Sequence, residues 1–265
     1  IGWCDWSSDV CSSDLLNPMR AHVIEGADGC AYAAGRRAVA VVVDALRASA
    51  TAAALLHAGA VEILAVPTVE GALAAHGERP GALLYGERGG LPPEGFDYGN
   101  SPAEARHAAG RRVVFTTTTG AGRLSQCAGA GAVLMGTVVN ASAAVGAALR
   151  LAGPEGGVVF IPAGLMDDPA FDAQEDRAAA VFLLERLRRE RPDVEMGEGR
   201  GLHAGYAARL AEEGIMRLFE TAPHAEKLRR IHLESDIPLC ADPDRYPAVP
   251  LAAAFSPEGV LLRRA

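Results

Sequence analysis

Ala38-Val39-Ala40-Val41-Val42-Val43-Asp44-Ala45-Leu46-Arg47-Ala48-Ser49 reads as a buried strand that ends in reactive groups. Six apolar residues with no polar alternation suit the middle of a parallel sheet, covered on both faces. Asp44 and Arg47 follow at once. Residues 49–57 then read as a helix with Ser49 as its N-cap. The segment predicts one βα unit with a carboxylate and a guanidinium at its turn.

Three other apolar runs end the same way. Residues 82–85 lead into Gly86-Glu87-Arg88-Gly89-Gly90. Residues 113–115 lead into Thr116-Thr117-Thr118-Thr119-Gly120, and residues 158–161 into Pro162-Ala163-Gly164. The carboxyl ends of parallel strands lie on one edge, and ligands bind in the crevice there. Carboxylates, arginines, hydroxyls and glycines on one such edge predict a site for an anionic ligand and a metal ion.

Further strands are expected at residues 22–25, 61–66, 111–115 and 132–135. Helices are expected at 68–75, 121–128 and 141–151, and another one capped by Ser101, with Pro102 first and Glu104 closing a capping box. The alternation predicts an α/β fold, a largely parallel or mixed sheet of βαβ units flanked by helices. The C-terminal part is more helical, with helices at 172–191, 201–213, 216–221 and 223–230. Residues 249–255 and 260–262 read as a closing β pair around Ser256-Pro257-Glu258-Gly259. The expected division is an N-terminal α/β part at 16–152 and a C-terminal α/β part at 153–265, which together can form one domain. Residues 1–15 carry a repeated Ser-Ser-Asp and both tryptophans, and read as a non-native leader from translated read-through.

With 49% hydrophobic and 22% charged residues, 265 residues can bury a substantial core. A net charge of −8 argues against bulk nucleic-acid binding, which needs a basic face. No apolar run reaches the roughly 18 residues of a membrane span. Outside the leader, Cys30, Cys127 and Cys240 are widely spaced with no CxxC pair, which predicts a reducing, cytoplasmic setting.

Asp44 stands where Mg²⁺ could be held, since that ion takes one or two carboxylates plus substrate phosphate and water. Arg47 can fork onto a phosphate or sulfonate, and Ser49 opens a helix, which attracts anions. Glu87 can ligate metal or accept a proton. Arg88 can meet an oxyanion, and Gly89 and Gly90 let the backbone come close to a ligand. Asn100 and Ser101 supply a turn and a cap, and stand as substrate-binding candidates. Thr116, Thr117 and Thr118 bring hydroxyls to a glycine-rich helix start, a phosphate nest. Glu175 and Asp176 open the long helix, either as complements to its dipole or as metal ligands and acid–base groups. His224, which follows Pro223 at another helix start, is a further substrate-binding candidate. The threonine run is not a Walker A loop, and no dinucleotide fingerprint is present. A haloacid-dehalogenase mechanism needs a second Asp two residues beyond the first, where Leu46 stands.

Taken together and in order, several segments resemble the 2-phosphosulfolactate phosphatase family. They are Asp44 to Ser49, Gly86 to Gly90, Gly95-Phe96-Asp97-Tyr98-Gly99-Asn100-Ser101-Pro102, Thr116 to Thr118, Gly136 to Asn140, Glu175-Asp176, Pro223-His224 and Cys240-Ala241-Asp242. The likeness runs from about Val39 to about Pro250. It implies an α/β hydrolase that uses Mg²⁺ to remove phosphate from (2R)-2-phospho-3-sulfolactate on a route toward coenzyme M. Catalysis would fall to Asp44, Arg47, Glu87 and Glu175, and metal binding to Asp44, Glu87, Glu175 and Asp176. Glu87 or Glu175 would orient the attacking water. The expected partner is a small anionic phosphomonoester, without nucleic acid or membrane, and with room for a homo-oligomer. Two departures bear on substrate choice or rate: Thr119-Gly120 replaces the family's Asn-Gly, and Ala50 precedes Thr51 after Ala-Ser. The rival expectation is a non-catalytic binding protein for an anionic phosphorylated metabolite.

Overall fold

In a computed structural model of the chain, the residues described are 18–166, 168 and 170–265. The expected leader at 1–15 lies outside them. The first half alternates short strands and helices. They are β1 (Arg20–Val23), α1 (Gly26–Arg36), β2 (Val39–Val43), α2 (Ala48–His57), β3 (Glu62–Ala65), α3 (Val69–Gly77) and β4 (Leu83–Gly86). After a 3₁₀ helix at Pro102–Ala108 come β5 (Arg112–Thr116), α4 (Gly120–Gln126) and β6 (Ala132–Met135). A second 3₁₀ turn at Val138–Asn140 leads to α5 (Ala141–Ala152) and β7 (Gly157–Pro162). The rest is mostly helical: α6 (Gln174–Glu190), β8 (Glu195–Met196), α7 (Arg200–Glu213), α8 (Ile215–Glu220), α9 (Pro223–Arg230) and α10 (Asp236–Ala241). Strands β9 (Pro250–Phe255) and β10 (Val260–Arg264) end the chain.

The ten strands among the described residues form one sheet in the order β4-β5-β3-β10-β9-β6-β2-β7-β1-β8. The mixed α/β architecture agrees with the sequence. The closing pair is antiparallel, as expected, but it lies in the middle of the sheet: β10 pairs with β3 and β9 with β6, both antiparallel. Two parallel sets flank it, β3 with β5 and β4 on one side and β6, β2, β7, β1 and β8 on the other. The three antiparallel steps between them make the two sets run in opposite senses.

One parallel edge was the expected reason for the loops to meet, and the topology replaces it. Adjacent strands rotate by about 20–25°, so the five steps from β2 to β5 accumulate roughly 100–125°. Such a twist swings the carboxyl ends of the two sets toward each other. The sheet wraps α2, whose first nine residues are all buried. Alanines of that helix share one buried core with apolar residues of β2, β3 and β5. A second core packs the other face of β2 against α5 and α6.

Local capping differs from expectation at two helices. Thr68 does cap α3, accepting the Gly71 amide at 3.0 Å. Ser49 is not the cap of α2, which begins after Arg47 with no side-chain cap. Glu104 does not close a capping box with Ser101; its carboxylate accepts the Gly99 amide at 2.9 Å. No helix among the described residues is long and apolar enough to cross a membrane. Cys30, Cys127 and Cys240 are free thiols, all buried.

Candidate active site

Strand β2 delivers Asp44 into a turn that holds it from both sides. Its Oδ1 accepts the Ala48 amide at 3.0 Å, and its own amide donates to Ser49 Oγ at 3.0 Å. Ser49 Oγ in turn donates to the Val42 carbonyl at 3.2 Å. Ser49 is fully buried, so it braces the turn from beneath. Helix α4 begins against the other oxygen: a Cβ on Gly120 would stand 2.9 Å from Asp44 Oδ2 and 2.7 Å from Ala48 Cβ. Only glycine leaves Asp44 that space.

The first turn of α6 brings two more carboxylates. Asp176 Oδ1 accepts the Ala45 amide at 2.7 Å and Oδ2 the Gly164 amide at 3.0 Å, which ties the loops after β2 and β7 together. Glu175 is wholly enclosed; Oε1 meets His224 Nδ1 at 2.9 Å, and Oε2 has no partner among the described residues. Burial pushes Asp44 up to about 6, and the charges of Glu87 and Glu175 add to the rise against the pull of the Ala48 amide and His224. Burial, then the neighbouring Glu175 and Asp44, lift Asp176 well above the usual carboxylate range. At His224 burial works downward, but the Glu175 hydrogen bond and charge outweigh it and the imidazole is raised.

Glu87 joins two loops. Oε1 accepts the Thr118 amide at 2.7 Å, while Oε2 accepts the Gly90 amide at 2.8 Å and the Thr118 hydroxyl at 3.2 Å. Arg88 turns the other way, donating to the Pro67 carbonyl at 2.8 Å and to Thr116 Oγ1 at 2.9 Å. Thr117 Oγ1 accepts the Ala121 amide at 3.1 Å and steadies the start of α4.

Arg47 spends its fork inside the protein. Nη1 donates to Asp236 Oδ2 at 2.6 Å and Nη2 to the Gly90 carbonyl at 2.7 Å. Ser101 Oγ completes the cluster by donating to Asp236 Oδ1 at 2.6 Å. Asn100 sits alongside, with a buried Oδ1 that has no partner among the described residues.

These loops enclose a cavity of about 280 Å³. Of the residues expected from sequence, Asp44, Arg47, Glu87, Gly89, Gly90, Asn100, Thr118, Asp176 and His224 line it. Ser49, Arg88, Ser101, Thr116, Thr117 and Glu175 lie behind that lining and hold it. Asp236 and Lys227 were not anticipated. Asp236 pairs with a residue 189 positions away, a contact with no local trace. Lys227 did carry a signal, because it stands one helical turn beyond His224 on α9. Leu228 and Ile231 complete that wall with apolar surface. Among the described residues, no three His, Cys, Asp or Glu side chains form a ready-made metal cage.

Comparison with known proteins places this geometry in a family. A sequence profile described as 2-phosphosulpholactate phosphatase matches residues 30–254. A Thermus thermophilus protein named "Probable 2-phosphosulfolactate phosphatase" is 35% identical over 86% of this chain and 93% of its own length. Proteins of the same name from Deinococcus radiodurans and Carboxydothermus hydrogenoformans are 38% and 33% identical, over 77% and 79% of the chain and 82% and 84% of their own lengths. The chain belongs to the 2-phosphosulfolactate phosphatase family.

Proposed function

We propose that the chain is a Mg²⁺-dependent phosphatase that hydrolyses (2R)-2-phospho-3-sulfolactate to sulfolactate and phosphate. Family membership and the relatives' printed names support the reaction. The observation that carries it structurally is one cavity with two buried carboxylates, Asp44 and Asp176, on one wall and His224 on another. A cytoplasmic setting is part of the proposal, in keeping with three free thiols.

The donor set suits a hard cation. Mg²⁺ prefers oxygen ligands and takes one or two carboxylates, leaving the remaining positions to phosphate and water, so a full protein cage is not required. Asp44 and Asp176 are the residues assigned to hold it. Both are raised by burial among like charges, and a divalent cation relieves that repulsion. When bound, the ion supplies charge stabilisation for the phosphoryl oxygens.

The other roles follow from the side chains. Asp44, ionised and held through Oδ1 by the Ala48 amide, can orient a water attacking phosphorus and take its proton. His224 donates Nδ1–H to Glu175, which leaves Nε2–H free to protonate the alkoxide as the phosphorus–oxygen ester bond breaks. Water orientation therefore moves from Glu87 and Glu175, the residues expected for it, to Asp44. Glu87 is held by three donors and Glu175 is sealed off.

Phosphate release from phosphosulfolactate, 2-phospholactate and phosphoglycerate, with added Mg²⁺ and after chelation, tests the proposal. Mg²⁺-dependent release fastest on phosphosulfolactate is expected. A chain that binds phosphosulfolactate but releases no phosphate would instead be the non-catalytic binding protein.

A further inference from the structure

Of the 25 Lys and Arg residues in the sequence, Lys227 is the one lysine. It lines the cavity on α9, on the wall that carries His224. Its ammonium lies 4.0 Å from the centre of the Phe171 ring, and the same ring meets His224 edge-on at 5.6 Å. The ring thus positions both cations. The positive charge of Lys227 is felt at His224, where it works against protonation. Arg47 has both terminal nitrogens committed to Asp236 and Gly90, and Arg88 points out of the cavity. Apart from the His224 imidazole, whose Nε2–H is assigned to the leaving oxygen, that leaves Lys227 as the cation in the lining with a terminal group not already held by a hydrogen bond among the described residues.

We propose that Lys227 binds the sulfonate of the substrate and sets the preference for a sulfonated phosphomonoester. The proposal rests on the phosphatase assignment above and names the subsite for the end of the substrate remote from the reacting phosphorus. A sulfonate has three equivalent oxygens about a threefold axis. An ammonium offers three rotatable donors about a matching axis, whereas a guanidinium is a flat fork suited to carboxylate or phosphate. With the wall of Asp44 and Asp176 assigned to the cation and the phosphate, the sulfonate at the other end of the substrate falls to the wall of α9. Phe171 holds the ammonium by cation–π attraction without consuming its donors.

The decisive quantity is the ratio of kcat/KM for phosphosulfolactate to kcat/KM for 2-phospholactate, which lacks only the sulfonate. Lys227→Met keeps the stem and removes the charge, and thermal melting checks that it folds. The ratio is expected to fall at least tenfold in Lys227→Met, with Lys227→Arg retaining part of the preference. An unchanged ratio overturns the assignment, as does an equal loss on both substrates, which would place Lys227 on the phosphate.

A second readout does not need turnover. Pyridoxal 5′-phosphate and borohydride label amines, and the single lysine makes the adduct on the Lys227 peptide distinguishable by mass from one at the chain's amino end. Sulfolactate is expected to protect Lys227 at a concentration at least tenfold lower than lactate does. Equal protection overturns the sulfonate subsite. If the wild-type chain releases no phosphate from either substrate, the phosphatase assignment falls and the protection experiment alone decides the role of Lys227.

Discussion

Two ion pairs lie within the loops of the cavity, and they are built in opposite ways. Arg47 and Asp236 meet at 2.6 Å with side chains only 2% and 1% exposed. Every oxygen of Asp236 is answered, one by Arg47 and one by Ser101, and Arg47 has the Gly90 carbonyl as well. Glu175 and His224 meet at 2.9 Å, but the His224 side chain is 27% exposed and Glu175 keeps an oxygen without a partner among the described residues. A charge whose partners are all internal holds loops in place. A charge with one side left open to a cavity is available to a ligand. On that distinction Arg47 belongs to the frame of the site, and His224 and the carboxylates near it to its chemistry.

The largest effect is expected at the open acidic wall. Asp44→Asn and Asp176→Asn should each lower kcat by about 10³-fold, within the usual reach of a lost general base or metal ligand. Stability should move the other way for Asp44. Its carboxyl is raised from 3.8 to about 6 on folding, so the folded state binds the extra proton between those values. The penalty for ionising it is absent below pH 4 and complete above pH 6. In metal-free buffer Asp44→Asn should therefore be more stable than the parent at pH 7, on the order of 3 kcal/mol, and no different below pH 4. Urea denaturation at several pH values measures this. A variant less stable at pH 7 would mean that Asp44 is a structural member like Arg47.

The closed pair should fail in stability first. Removing one partner of a buried pair leaves an uncompensated charge and costs about 3–5 kcal/mol. Asp236→Ala should lose about that much in urea denaturation, and Arg47→Ala a similar amount. Turnover should fall mainly through the displaced Gly90 loop, so the residual rate of folded Asp236→Ala should exceed that of Asp44→Asn.

The same distinction explains what was legible in the sequence. Asp44 and Glu87 stand directly after strands, Thr118 two residues after one, and Asp176 in the first turn of a long helix, so local pattern alone brought them forward. Strands such as Ala132–Met135 could be read to the residue because all-apolar runs ended at glycine. Helix α1 was missed because its N-cap, Glu25, makes no capping hydrogen bond and the helix is rich in glycine and alanine. The central position of β9 and β10 was not legible either. Hydrophobic alternation shows that two strands pair, and is silent on which other strands flank them. Ser49 and Glu175 were named for the cavity and lie behind it, since a residue type shows what a group can do and not which way it faces. Asp236 was invisible for the reason that makes it important, a partner 189 residues distant.

A smaller effect is expected from opening the Glu175–His224 pair further. Glu175→Gln removes the charge that raises His224. A raised histidine stabilises the fold fully below its unfolded value of 6.5, and that contribution fades as pH climbs through the folded value. In Glu175→Gln the His224 titration followed by NMR should shift to lower pH, and the alkaline limb of kcat should shift with it. The loss in kcat at pH 7 should be about 10²-fold, the lower end for a general acid. A histidine titration that does not move would place the origin of its raised value elsewhere.

The smallest effect isolates one bond of the closed network. Ser101→Ala leaves Arg47–Asp236 intact and removes the hydroxyl that answers Asp236 Oδ1. Hydrogen bonds to charged groups contribute about 1.5–3 kcal/mol, and Ser101 also accepts a long contact of 3.3 Å from the Ala103 amide. The expected loss is about 1–2 kcal/mol in urea denaturation, because Arg47 still neutralises the carboxylate. Sequence had suggested that Ser101 meets the substrate, and in that case KM would carry the change. With the hydroxyl turned onto Asp236, the change should appear in stability while KM moves less than about threefold, below 0.7 kcal/mol in binding. A KM that rises by about tenfold with unchanged stability would reopen the network to the cavity and erase the contrast between the two pairs.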